Sequence, residues 1–404
     1  MTLELSHVDV RDVMFGAETV VRDGTLVVDR DALAQQLGRI DGLARIEIHL
    51  AKPGEATRLV CVKDVVEPRL QQGERVHCLR GAAVATLGQI IGFQEGLIDM
   101  SGPGAPYTPF SALQLIVIEA DPLSDLEPHR HEAALREASL AAARWLAKAT
   151  VDAPGDEIER LELGPASPAL PRVAYVYPVL TQGLLHDTWV EGRNACEGLP
   201  RRIDPTLPLR GDIVSGNCVS ACDKNTTWHH QHNPVTHELF RRHARELCFA
   251  GCVLTPLPVR LADKQAAAAR AAELVRELDV SGALLSKEGF GNPDADLMML
   301  LRALEGAGIR CVAITDEFAG RDGASQSLAD SAPEADAIVS VGNANACITL
   351  PAMARMLGPV ESVPRLAGAG EGSGLPDGSV EVELQALMGA TNQLGTMRLS
   401  CRGA

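Results

Sequence analysis

The sequence predicts an α/β protein in which an N-terminal α+β domain with a mixed sheet precedes a doubly wound domain with a parallel sheet. Hydrophobic residues make up 46% of the 404 residues, so the chain can bury more than one core. Aromatic residues make up only 3%, so these cores are built from Ala, Val, Leu and Ile, as in helix-covered parallel sheets. The hydrophobic pattern also changes from short alternating runs to alternating strand and helix patterns after about residue 250.

Short alternating runs predict the strands of the first domain. Five of them precede about residue 125 and are separated by Gly, Pro and Asp turns: VDVRDVMFG, GTLVVD, ARIEIHL, HCLRGAAVATLGQIIGF and LQLIVIEA. An Ala- and Leu-rich stretch at 129–150 has helical spacing and no internal helix breaker, which predicts a long helix. Another strand is expected at 172–180.

Strand and helix patterns alternate in the second part of the chain. KQAAAARAAELVREL and ADLMMLLRALEGAG predict helices, and GALLSK, RCVAITD and ADAIVSVG predict strands. Short connections between such elements are typical of βαβ units, so we expect a doubly wound domain at about 250–360. Ligands of these sheets bind at the carboxyl ends of the strands, where polar loops at 287–296, 315–327 and 341–346 should form one rim.

Composition and motifs argue against several classes of function. The chain has 53 acidic and 37 basic residues, and its net charge of -16 would repel nucleic acid, so we expect no nucleic-acid partner. It shows neither a signal-peptide pattern nor an apolar run near the ~20 residues of a membrane span, so we expect a cytoplasmic protein with no membrane partner. The Gly-rich phosphate-binding motifs of nicotinamide and nucleotide enzymes are absent.

The ten cysteines are scattered along the chain and do not resemble a disulfide framework. Five of them have apolar neighbours and are expected to be buried, reduced thiols: Cys61, Cys248, Cys252, Cys311 and Cys347. Cys218 and Cys222 differ, because they lie in the polar segment GNCVSACDKNTTWHHQHNPVTH at 216–237, which also holds four histidines.

This polar segment allows three interpretations. Cys218 and Cys222 could bind zinc together with His230 and His232, although the spacing differs from that of the usual zinc motifs. A cysteine thiolate with a histidine base nearby could act as a nucleophile. Alternatively, Cys218 could attack the carbonyl of Asn217 in a tight, exposed turn; β-elimination and hydrolysis would then cut the chain and leave a pyruvoyl group.

The polar segment closely resembles the processing site of the proprotein of component B of glycine/sarcosine/betaine reductase, the precursor of its alpha and beta subunits. Further stretches along the whole chain look like the same family: DVMFGAETVVRDGTLVV, AKPGEATRL, RGAAVATLGQIIGFQEGLIDMSGPGAPYTPF, TQGLLHDTWV, LADK, SKEGFGNPDADL, ITDEFAGRDGASQSLAD, VSVGNANACITLPAM and GATNQLGTMRLS. The resemblance implies an oxidoreductase component that takes part in reductive C–N cleavage.

The resemblance also implies cleavage between Asn217 and Cys218, giving an alpha chain of 1–217 and a beta chain of 218–404 that begins with a pyruvoyl group. In the family this group captures the amine substrate as a Schiff base, and a selenocysteine on a separate subunit attacks the activated carbon. The implied partners are a component B subunit that carries selenocysteine or cysteine, the component A and component C proteins, and a small amine. The alternative function is a zinc-binding or uncleaved assembly subunit.

Further residues are candidates for the site. Four that follow the expected cut could carry protons near the amine: His229, His230, Asp223 and Lys224. Four on the predicted rim could bind the substrate: Arg321, Asp322, Asn292 and Asn343.

Overall fold

The computed structural model describes residues 2–90, 92–151, 153, 155–182, 187–216 and 219–397, together with the backbone of 400 and 401. Within these ranges, no helix combines the length and the apolar character needed to cross a membrane.

The described residues form seven α-helices and 25 strands. The helices are α1 (Arg30–Leu37), α2 (Pro128–Ala147), α3 (Leu207–Arg210), α4 (Thr227–Gln231), α5 (Pro234–Arg242), α6 (Leu261–Arg276) and α7 (Asn292–Glu305). The strands are β1 (Thr2–Asp9), β2 (Asp12–Phe15), β3 (Val20–Arg22), β4 (Thr25–Val28), β5 (Leu43–Ala51), β6 (Thr57–Val66), β7 (Arg69–Gln72), β8 (Arg75–Arg80), β9 (Ala82–Leu87), β10 (Gly96–Asp99), β11 (Gln114–Pro122), β12 (Glu157–Glu162), β13 (Arg172–Leu180), β14 (Trp189–Val190), β15 (Arg193–Asn194), β16 (Arg201–Ile203), β17 (Ile213–Val214), β18 (Cys248–Leu257), β19 (Gly282–Leu285), β20 (Arg310–Glu317), β21 (Ile338–Asn343), β22 (Cys347–Leu350), β23 (Arg355–Leu357), β24 (Val380–Glu383) and β25 (Ser400–Cys401).

Mixed sheets dominate the N-terminal part of the chain, as the alternating runs predict. The largest has the strand order β10-β6-β9-β11-β5, and a second has the order β12-β1-β8-β7. The predicted long helix is α2, which packs Ala142 and Leu146 onto the core of the first sheet. Strand β6 is missing from the sequence prediction because all ten of its residues are buried, which leaves no alternation between polar and apolar positions.

A seven-stranded sheet with the order β16-β18-β13-β19-β20-β21-β25 forms the second layer. Its five central strands are parallel, and numbered along the chain they have the order 2-1-3-4-5 of a doubly wound sheet. Helices α6 and α7 pack on one face of these strands, and α5 packs on the other. The predicted α/β class and doubly wound parallel sheet are therefore confirmed.

The two layers share strands across the predicted cleavage position. The seven-stranded sheet takes β13 and β16 from before residue 217, so it begins well before the predicted range of 250–360. In return, β23 pairs in parallel with β6 of the N-terminal sheet. The predicted division at 217/218 therefore does not coincide with a division between sheets.

Most of the cysteines expected in cores are buried there, but Cys347 is exposed. Cys61, Cys248, Cys252 and Cys311 are buried, and the eight described cysteines all carry free thiols. Cys347 is the first residue of β22, where the alternation of the two-stranded sheet points its side chain away from the core. The prediction that Cys347 is buried is therefore wrong, because it relied on the apolar residues that follow Cys347 in the sequence.

Small side chains set the distance between α6 and the sheet. Ala271 is fully buried in the core beneath α6, whereas Ala269 on the same helix is exposed. Ala271→Leu should overpack this core and lower the free energy of unfolding by about 1–3 kcal/mol. Ala269→Leu adds the same atoms on the exposed face and should change it by less than about 0.5 kcal/mol. Urea unfolding of both variants measures the difference, and equal effects would contradict the described packing of α6.

Candidate functional site

The polar segment meets the parallel sheet where its strand order reverses. This switch point lies between β13 and β19, at their carboxyl ends, which is where doubly wound sheets bind ligands. Val219 packs there against Leu180 and Leu257, the last residues of β13 and β18. A side chain added at Gly289 would lie 2.7 Å from Val219 Cγ1. The residue that follows Cys218 in the sequence therefore lies at the switch point.

Asn217 and Cys218 lie outside the described residues, but their described neighbours are buried. Ser215, Gly216 and Val219 are all enclosed by the protein. A Cβ atom at Gly216 would lie 2.7 Å from the carbonyl carbon of Asp187, so glycine permits this close backbone approach. The flanks of the predicted cleavage position thus differ from the exposed turn that we expected. The polar composition suggested a surface loop, but packing between two sheets buries the described residues on both sides of the predicted cut.

Strand β6 holds the short helix α4 in place through buried hydrogen bonds. Asp64 accepts hydrogen bonds from the backbone N–H and the hydroxyl of Thr227, at 2.9 and 2.6 Å. Gln231 at the end of α4 pairs with the backbone of Glu67 in both directions, at 2.9 and 3.0 Å. These partners offset the cost of burying a polar helix, and they fix the two histidines between Thr227 and Gln231.

His229 and His230 are buried, neutral side chains in the structure. His229 Nδ1 accepts a hydrogen bond from the backbone N–H of Thr226, at 3.1 Å, and so helps to cap α4. Burial lowers the pKa of His229 well below its usual value. Burial also lowers the pKa of His230 to about 3, and its Nδ1 is hydrogen-bonded to Tyr177 Oη. The Nε2 atoms of both rings have no hydrogen-bond partner among the described residues, which leaves them available to a bound group.

Asp223 and Lys224 are adjacent in the sequence and both are buried, but they differ in their contacts. Within the part of the chain that the structure describes, neither carboxylate oxygen of Asp223 has a hydrogen-bond partner. Burial, and next the nearby Asp316, raise the pKa of Asp223 well above its usual value, which favours the protonated form of this side chain. Lys224 donates to the backbone oxygen of Lys63, and burial together with Lys63 lowers the pKa of Lys224 to about 8.

Three charged residues at the switch point were not singled out from the sequence. Lys287 lies two residues after the end of β19, is fully buried, and pairs with Asp294 at the start of α7. Glu288 accepts a hydrogen bond from the backbone N–H of Asn225 at 2.9 Å, and burial raises the pKa of Glu288 to about 7. Asp316 near the end of β20 is also buried, and burial raises its pKa to about 6 although Lys287 opposes the shift.

These three residues could have been found from their places in the sequence. Lys287 and Glu288 belong to one of the polar loops that follow predicted parallel strands, and Asp316 belongs to the next. The C-terminal stretch GATNQLG also contributes, since Thr391 and Gln393 donate hydrogen bonds to the two oxygens of Asp316. Nothing local in the sequence places that stretch next to the parallel sheet.

The four predicted rim residues make contacts of their own, at the start of α7, at the end of β21 and in the loop after β20. Arg321 is exposed and pairs with Glu383 at 2.9 Å. The other three bond as follows: Asp322 accepts from the backbone of Ala324, Asn292 donates to Gln182, and Asn343 binds the backbone of Ala319 and Gly320. Their described partners therefore differ from those of the buried residues around Asp223.

The residues of the predicted zinc set have separate partners. His230 bonds to Tyr177, and His232 bonds to Glu67 at 2.8 Å. Cys218 lies outside the described residues. Cys222 instead lies beside Asp223 and Asp316, the group among the described residues whose spacing suits a metal ion.

Comparisons with known proteins agree with one another. The family described as glycine/sarcosine/betaine reductase component B subunits matches residues 1–402. The chain is 44% identical to "Glycine reductase complex component B subunits alpha and beta" of Peptoclostridium acidaminophilum, over all of both chains. It is 41% identical, again over all of both chains, to "Sarcosine reductase complex component B subunit alpha" of that organism. It is 33% identical to "Betaine reductase complex component B subunit alpha" there, over 96% of this chain and 95% of the relative. No solved structure matches.

Glu67 should make a pH-dependent contribution to stability through its contact with His232. Although burial opposes the shift, His232 and Arg69 lower the pKa of Glu67 from 4.5 to about 2. A lowered pKa adds stability above pH 4.5 that is lost as the pH falls towards 2, and this shift corresponds to about 3 kcal/mol. Glu67→Gln should therefore cost much more stability at pH 7 than at pH 3.

Glu238 on α5 provides the matched control for this measurement. Hydrogen bonds from Arg241 and Arg242 also lower the pKa of Glu238 to about 2, but its side chain is 44% exposed. Solvent screens such pairs, so Glu238→Gln should change stability little at either pH. Urea unfolding at pH 7, 5 and 3 tests both variants, and a pH-independent cost for Glu67→Gln would contradict the described network.

Proposed function

Because this chain belongs to the family of glycine/sarcosine/betaine reductase component B subunits, we propose that it is the substrate-binding component of a reductive amine-cleaving complex, cut between Asn217 and Cys218. As a member of this family it is a component of an oxidoreductase. The position of Val219 at the switch point of the parallel sheet carries the proposal, because a cut before Cys218 would start the new chain where such sheets bind ligands. The name of the glycine reductase relative supports it, since that name assigns subunits alpha and beta to one chain of matching length.

We infer that Cys218 is converted to a pyruvoyl group, which supplies an electrophilic ketone for an amine substrate. The described surroundings fit such a group. Asp223 lies five residues further along the chain and is a buried acid without a hydrogen-bond partner. A buried polar group without a partner is costly, and this supports a role in contact with a bound molecule.

The proposed roles of the buried residues follow from their protonation. In the absence of a bound cation, burial and the nearby Asp316 favour the protonated form of Asp223, so this side chain can give a proton to a departing amine. His229 and His230 are neutral, and the Nδ1 atom of each is already occupied, so each can present Nε2 to a bound molecule. Glu288, whose pKa of about 7 lies near neutral pH, can exchange protons in either direction.

We also propose roles for the rim residues and for partner proteins. Four rim residues are proposed to meet the carboxylate and amine as the substrate enters: Arg321, Asp322, Asn292 and Asn343. The relatives are named as components of reductase complexes, which supports partners for this chain. We propose that these are a component B subunit with selenocysteine or cysteine and the component A and C proteins. The eight described free thiols support a reducing, cytoplasmic location.

Cleavage is tested by intact mass and denaturing electrophoresis of the purified protein. The 42.9 kDa chain should give fragments of about 23 and 20 kDa, in proportion to their lengths. Phenylhydrazine, a carbonyl reagent, should label only the smaller fragment. Cys218→Ala should abolish the cut, whereas the matched variant Cys222→Ala should retain it, because Cys222 does not adjoin the bond that breaks. A single unlabelled 42.9 kDa species, or cleavage that survives Cys218→Ala, would refute the proposal.

The two fragments should stay together after the cut. Strands β13 and β16 from the first fragment pair within the seven-stranded sheet, and β23 from the second pairs with β6. Size-exclusion chromatography in native buffer should therefore show a single peak that contains both fragments, and only denaturant should separate them. Two separate peaks in native buffer would contradict the exchange of strands.

A further inference from the structure

Three side chains that can ligate a cation lie together at the buried edge of the candidate site. Cys222, Asp223 and Asp316 each offer one ligand atom, and these atoms all lie within 4.8 Å of one another. Their exposed fractions are 0%, 1% and 0%. A thiol and two carboxyl groups at this spacing match the number and types of side chain that bind zinc.

Asp223 gives an independent indication of a ligand. Both of its carboxylate oxygens are buried, and neither has a hydrogen-bond partner in residues 2–90, 92–151, 153, 155–182, 187–216 and 219–397. A buried carboxyl group in this state is stabilised by a proton or by a cation. Lys287, whose charge acts on Asp223, pairs with Asp294, and the adjacent Lys224 donates to a backbone oxygen.

Asp316 has the support expected of a metal ligand. Thr391 Oγ1 donates to its Oδ2 at 3.0 Å, and Gln393 donates to its Oδ1. The backbone of Thr391 also donates to the carbonyl oxygen of Cys222, at 3.0 Å, so one turn orients two of the three side chains. Hydrogen bonds behind ligands typically fix their orientation in metal sites. Lys287 Nζ lies 4.0 Å from Asp316 Oδ1, so its positive charge partly balances the charge of this carboxylate.

We propose that Cys222, Asp223 and Asp316 form a binding site for a divalent cation of the zinc type. The thiol favours zinc over magnesium or calcium, which prefer oxygen ligands alone. Two carboxylates balance the charge of the cation, and three protein ligands leave a coordination position open towards the site, as in catalytic zinc centres. This set differs from the zinc ligands predicted from the sequence, since it shares only Cys222 with them.

Cobalt binding to the full-length protein tests the proposal. Chelator-treated wild-type protein, titrated with Co²⁺ without oxygen, should bind about one equivalent and develop a near-ultraviolet thiolate-to-cobalt absorption band. Elemental analysis of protein purified without chelator should find zinc at a similar ratio. A wild-type protein that shows no such band would overturn the proposal without any variant, and Asp223 would then hold a proton instead.

Variants assign the ligands. Cys222→Ser should abolish the band, and Asp223→Asn should weaken cobalt binding at least tenfold. Asp223→Asn removes a buried carboxyl group without partners, so it should fold, and circular dichroism will check this. Cys347→Ser and Asp330→Asn, which change a thiol and a carboxylate in outer positions, should bind cobalt as the wild type does. A band that persists in Cys222→Ser would overturn the assignment.

Cys218→Ala separates this proposal from cleavage. The inference rests on the proposed site but not on the cut, so the uncut variant should still bind cobalt with the same band. Loss of the band in Cys218→Ala would show that Cys218 supplies the thiolate and would overturn the three-residue site. Cleavage of the wild type without metal binding would leave the proposed function standing and remove the cation.

Discussion

Burial of a strongly polar segment between two sheets is the constraint on which the rest of the structure depends. Residues 219–233 are mostly enclosed, so their hydrogen-bonding groups need partners within the protein. Strand β6 supplies Asp64, and Glu67 follows this strand directly; strand β13 supplies Tyr177, and the loop after β19 supplies Glu288. The segment is thereby fixed from both sides, and the two sheets are joined through it rather than through an apolar interface alone.

The same burial determines the chemistry available at the switch point. In a low-dielectric interior the uncharged forms of acids and histidines are favoured, so protons are stored on carboxyl groups and removed from imidazoles. Asp223 and Glu288 are examples of the first effect, and His229 and His230 of the second. The proton-carrying roles that the sequence suggested for His229, His230 and Asp223 therefore concern neutral rings and a carboxyl group whose protonated form is favoured. Such a site changes its charge readily when a charged molecule enters.

Local sequence patterns predict the helices and strands that short-range interactions determine. Helices α2, α6 and α7 and strands β13, β19, β20 and β21 follow from periodicity, and the strand-end loops follow from the parallel sheet. Strand β6 gave no alternating signal because both of its faces are buried. The contacts of Asp316 with Thr391 and Gln393 join segments 75 and 77 residues apart, and no local pattern encodes them. The residue types of the polar segment indicated which reactions it could take part in. They did not indicate that the segment is buried.

The exchange of strands between the two layers favours folding of the chain before the proposed cleavage of its backbone. Neither half of the sequence contains all the strands of its own main sheet, since β13 and β16 precede residue 217 and β23 follows it. A break in the backbone before folding would turn an intramolecular search for partners into a slower encounter of two unstable pieces. A break that waits for the folded state leaves every strand pair in place. Under the proposed cleavage, folding would act as a checkpoint, and only a correctly assembled molecule would acquire the proposed reactive terminus.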